Sequence, residues 1–168
     1  MIRALRLTAL LSLTLLAAGC GLQPMYAGGG SGAVAQGLAG VEVPPIEGRA
    51  GWLVRNALRD QLAQSGAAAA GPRYRLDVLL DDDLESLGLL TDETIGRARR
   101  TLRARYQLVD LGSGSVLLDA TAGSDAGIDV VSSEYATIAA EQTALENLAR
   151  EVSSQIITSL TITLRAQS

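Results

Sequence analysis

From Ile95 to Asp110 the chain alternates between two kinds of side chain. Ala98, Leu102, Ala104, Tyr106 and Leu108 fall on one face of an extended backbone. Arg97, Arg99, Arg103 and Arg105 fall on the other, and Arg100 is the exception on the apolar side. Successive strand residues point to opposite sides, so such a segment belongs to a sheet with one face covered and one face wet. Arg73 to Leu80 repeats the pattern, with Tyr74, Leu76, Val78 and Leu80 set against Arg73, Arg75, Asp77 and Leu79. Leu111-Gly112-Ser113-Gly114 has the composition of a hairpin turn, and Ser115 to Ala122 follows it as a strand paired back on the first. Val41 to Ile46 is a further short strand candidate, and Pro44 and Pro45 restrict it to an edge or mark its end.

Two segments have helical spacing instead. Between Arg49 and Gln64, the residues Val54, Ala57, Leu58 and Leu62 form one stripe, and Ser65-Gly66 ends it. The second follows Asp129–Ser133. Ser132 or Ser133 supplies an N-cap and Glu134 suits the positive end of the helix dipole. Ile138, Leu145, Ala149, Val152, Ile156 and Leu160 make its stripe, and Glu146 and Arg150 are placed for an i,i+4 pair. Leu160 to Leu164 also alternates with period two, and continuity favours helix there. The order β-α-β-β-β-α predicts a two-layer α/β sandwich, a mixed four-stranded sheet with two helices on one face. Asp81-Asp82-Asp83 reads as a solvated loop after its strand, since it lacks the spacing of a calcium-binding loop.

The start of the chain reads as something other than fold. Arg3 and Arg6 precede an apolar run, Leu7 to Leu16, too short to span a bilayer, and the small residues Ala17-Ala18-Gly19 lead to Cys20. This resembles the lipobox of bacterial lipoproteins. It implies cleavage of residues 1–19 and acylation of Cys20, the sole cysteine. More than one acyl chain holds a protein firmly on a membrane surface without spanning it. Gly21, where Asp would favour retention at the inner membrane, implies by the same resemblance the outer membrane. Residues 20–40, rich in Gly, Ala and Ser, read as the acylated cysteine and a flexible tether. Residues 41–168 read as a single domain.

Charge and residue type exclude several classes. Of 14 Lys and Arg residues, two leave with the leader, so 12 face 18 acidic residues, a net of −6. That balance argues against a nucleic-acid partner. There is no histidine, and the cysteine is reserved for lipid. The chain has no nucleophile–base set, GxSxG motif or P-loop, so the expectation is a non-enzyme with neither cofactor nor metal. The arginine row remains. It is either a solvated strand face balanced by nearby acids or a surface that recognises an anion, since the planar guanidinium fork matches phosphate.

Four segments in order carry a resemblance to a known family. Cys20-Gly21-Leu22-Gln23-Pro24-Met25-Tyr26 opens the mature chain; RARYQLVD (103–110), GSVLLDAT (114–121) and SEYATIAAE (133–141) follow. The set resembles the LPS-assembly lipoprotein family LptE, of the alphaproteobacterial type. The resemblance implies a two-layer α/β domain inside the lumen of an outer-membrane β-barrel, LptD. There it would plug the barrel, support its assembly and bind lipopolysaccharide, whose lipid A carries phosphates. Carried over to this chain, the basic ligand residues would be Arg97, Arg99, Arg103 and Arg105. The alternative reading is an auxiliary periplasmic lipoprotein of a lipid-transport ABC system.

Overall fold

The computed structural model describes residues 32–65, 71–87 and 96–167. Seven elements follow in order: α1 (Ala33–Ala39), β1 (Val41–Glu42), α2 (Gly48–Ala63), β2 (Tyr74–Leu87), β3 (Gly96–Asp110), β4 (Val116–Val130) and α3 (Glu134–Ala166). The strands form one mixed sheet in sequence order. β1 runs parallel to β2, and β2, β3 and β4 form an antiparallel meander. The helices pack on one face, giving the two-layer α/β sandwich.

The pleat sorts the sheet cleanly. Even-numbered residues of β2, β3 and β4 face the helices: Tyr74, Leu76, Leu102, Ala104, Tyr106, Leu108 and Ala122 are buried in the main core. Against them lie Val54, Leu58 and Leu62 of α2 and Leu145 to Leu164 of α3, a stripe repeating every three or four residues. The covered charge, Arg100, is met by Asp82 across the strands. The guanidinium grips both carboxylate oxygens at 2.8 and 2.7 Å and donates a third hydrogen bond to the Glu141 carbonyl of α3.

The structure departs from the sequence reading in six places. Residues 33–39, read as tether, form α1. Its seven residues are too few to show periodicity, and it owes its order to burying Ala35 and Leu38, with Gly37 packed close to Leu164 of α3. β1 has only two paired residues, because Pro44 and Pro45 cannot extend the ladder. Asp81–Asp83 lie within β2, not in a loop: Asp82 faces the helices to meet Arg100, while Asp81 and Asp83 face out. β4 runs on to Val130 through Gly123-Ser124-Asp125-Ala126-Gly127, a stretch of loop composition whose small residues lie opposite the long arginines of β3. Ile138 is 44% exposed, and Ala140 and Ala144 make the contact at that end of α3, in a small satellite core with Ala98 and Ile128. Arg150 bonds Asn147 and the Glu146 carbonyl in place of the Glu146 carboxylate. Leu160 to Leu164 is helical.

Two devices finish the sheet. Asp110 Oδ1 accepts from the N–H groups of Gly112 and Ser113, both at 2.9 Å, and Gly114 at φ 72° closes the β3–β4 hairpin in a conformation that suits glycine. Near the middle of the outer strand β4, the Gln155 side-chain amide of α3 takes both backbone groups of Gly123, accepting from its N–H at 3.2 Å and donating to its carbonyl at 3.3 Å. Among the described residues, no helix is long and apolar enough to cross a membrane. Cys20, the leader 1–19 and the first part of the tether lie outside the described residues.

Candidate functional site

The candidate site is the sheet face that, among the described residues, no helix covers. The alternation of β3 puts Arg97, Arg99, Arg103 and Arg105 on it in one row, as the sequence predicts, and all four side chains are exposed. The neighbours were not legible from β3 alone. β2 contributes Asp77, Asp81, Asp83 and Glu85 on one side, and β4 contributes Asp119, Asp125 and Asp129 on the other. The face is therefore striped: acidic, basic, acidic. With Arg75 included, its carboxylates still outnumber its guanidinium groups.

The row divides by partner. Arg97 reaches Asp129 at 3.5 Å, Arg99 reaches Asp125 at 4.0 Å, and Arg105 meets Asp119 at 3.1 Å. Arg75 is similarly held by Asp77 at 2.9 Å. Arg103 has no carboxylate oxygen within 4.0 Å among the described residues, although Asp81 stands opposite it in register. It lies instead over Gly123, where a Cβ would come within 3.3 Å of its Cγ and Nη1. A pocket of about 510 Å³ opens here, its lining including Leu79, Asp81, Arg103, Arg105, Thr121 and Gly123.

Electrostatics follow the same division. Arg105 first, then Gln107, hold the Asp119 carboxyl below the usual carboxylate range, and the Ser113 and Gly112 N–H groups do the same for Asp110. A carboxyl whose pKa is lowered by folding stabilises the native state above its unfolded pKa, and that contribution is lost as pH falls through the folded value. We therefore expect stability to fall below the ordinary carboxylate range. In acid titrations followed by circular dichroism, Asp119→Asn and Asp110→Asn should each flatten that fall. Equal acid sensitivity in the variants and the wild type would refute the assignment.

A second concavity, of about 670 Å³, lies between α2 and α3, lined by Trp52, Leu53, Ala57, Glu146, Ala149 and Arg150 among others. Trp52, the only tryptophan, is 63% exposed there. Helical periodicity left it off the stripe, and its exposure was the signal available.

Comparison with known proteins adds a family. The family model LptE, described as Lipopolysaccharide-assembly, matches residues 38–160. Among solved structures, the chain is similar to a candidate lipoprotein from Caulobacter crescentus CB15. The TM-score is 0.63 and the identity 25%, covering 82% of this chain and 98% of that one. A minor lipoprotein from Acinetobacter baumannii is more distant, at TM-score 0.48 and 14% identity over 71% and 91% of the two chains. A search of curated proteins finds no match to the chain.

Proposed function

The chain belongs to the LptE lipopolysaccharide-assembly family, and from that premise we propose that it is a lipid-anchored, non-catalytic subunit of an outer-membrane lipopolysaccharide translocon. In this reading residues 1–19 are removed and Cys20 is acylated, and residues 20–32 link the anchor to the domain. The domain sits inside an LptD-type β-barrel, plugs it, supports its assembly and binds lipopolysaccharide through the arginine row.

The match over residues 38–160 carries the reading. Physical chemistry supports it. The lumen of a large outer-membrane barrel is polar, and the open face of this sheet is charged along its length. A plug also needs a rigid body, and here the main core ties the three described helices to the sheet. Family membership favours this reading over an auxiliary subunit of an ABC lipid transporter.

The test is purification in detergent from native membranes. The protein should bring down a large β-barrel, and depleting it should reduce the yield of folded barrel. Isolation as a lone monomer by every route would overturn the proposal. Cys20→Ala should abolish the acyl mass on the mature chain. It should also move any protein not held by the barrel from the membrane to the soluble fraction, because the anchor supplies the remaining membrane affinity. A Cys20→Ala protein fractionating like wild type in cells lacking the barrel would refute the anchor.

A further inference from the structure

We propose that Arg103 alone of the four arginines contacts the ligand on the open face, and that the ligand group it takes is a phosphorylated sugar. The proposal rests on the lipopolysaccharide reading and deepens it. Arg97, Arg99 and Arg105 spend their charge on Asp129, Asp125 and Asp119. Each of these guanidinium groups has a carboxylate beside it that offsets part of its charge, and an arriving phosphate meets that carboxylate as well. Among the described residues no carboxylate oxygen lies within 4.0 Å of Arg103.

The surroundings of Arg103 select the ligand further. Gly123 leaves open the place where β4 would otherwise present a side chain, and the Arg103 side chain, Cγ and Nη1 included, lies across it on the exposed face. A planar fork takes two phosphate oxygens at once. Thr121 flanks the same pocket and offers a further donor. Asp81 lines it as well, and a carboxylate repels a bare phosphate. It accepts readily from a hydroxyl or amide N–H, so the set of Arg103, Thr121 and Asp81 suits a phosphate carried next to such donors, as on a hexosamine. Leu79, 74% exposed at the rim, is positioned for the apolar part of the same molecule.

The experiment measures binding of the full mature chain carrying Cys20→Ala, which removes the acyl anchor as a source of membrane affinity, to detergent-free vesicles containing purified lipid A. Arg97→Gln, Arg99→Gln, Arg103→Gln and Arg105→Gln are compared with wild type, with the fold checked by circular dichroism. Arg103→Gln should weaken binding about tenfold or more, the scale of a lost charge-assisted contact, while the other three stay within about twofold. Gly123→Ala leaves every charge in place and should also weaken binding, because its Cβ crowds Arg103 Cγ and Nη1. Enzymatically dephosphorylated lipid A should not distinguish Arg103→Gln from wild type. Vesicles of phosphatidic acid matched in charge should bind wild type more weakly than lipid A. Equal losses in all four arginine variants would overturn the assignment in favour of a shared field. Undiminished binding by Arg103→Gln would remove the assignment and leave the functional reading standing. No binding by the wild-type chain would remove both.

Discussion

Tyr106→Ala should lower the free energy of unfolding by about 3–5 kcal/mol, the range for truncating a buried aromatic. Tyr106 is 1% exposed and is the largest fully buried side chain. It sits on the central strand β3, between Val78 of β2 and Ala120 of β4 in register. The chain has no phenylalanine, and among the described residues the other aromatic side chains bring only Tyr74 to the core. The remaining core residues are aliphatic, so no neighbour has the volume to refill the space. Denaturant unfolding monitored by circular dichroism measures the change. A loss under about 1 kcal/mol would mean that the helices collapse onto the sheet far more freely than packed interiors allow.

Gly51→Ala should destabilise the domain by about 1–3 kcal/mol, the usual cost of overpacking, although alanine is the better helix former by about 1 kcal/mol. A Cβ at position 51 would lie 2.6 Å from the Ile46 carbonyl oxygen and 2.7 Å from its carbon. Both are backbone atoms, and no rotamer change clears them. Nor can the segment withdraw easily. Pro44-Pro45 stiffens it just upstream, Val43 is buried, and Arg55 Nε of α2 donates to the Val43 carbonyl at 3.1 Å. Thermal melts should place Gly51→Ala below wild type. A melting temperature at or above wild type would show that the crossover from β1 to α2 has slack.

What the sequence revealed follows from what period and burial can encode. The arginine row was legible because one strand's alternation is written in consecutive residues. The acids that neutralise most of it were not, because Asp119, Asp125 and Asp129 stand beside the row only through the β3–β4 register. That register carries β4 through Gly123 and Gly127, residues that by composition signal a loop. α1 escaped for a different reason: Val34, Ala35 and Leu38 span little more than one helical turn, too short to read as a period, and the core Leu38 joins is built from residues far along the chain. Arg100 looked like a flaw in an apolar stripe. It proves to be the point where β2, β3 and α3 are joined, and Asp82 was hidden in a triplet that read as solvated.

The clamp of Gln155 on Gly123 has a consequence for self-assembly. Among the described residues, β1 pairs only two residues of β2 and no strand pairs with the outer side of β4, so the sheet ends in two long borders. Such borders template runaway stacking into fibres. On one of them the glutamine amide fills the hydrogen-bonding positions at the midpoint, so a visiting strand finds only two short stretches to zip along. Asp119, Asp125 and Asp129 line those stretches, and a second copy would set carboxylate against carboxylate. A strand of a second copy therefore has little to pair with along this border.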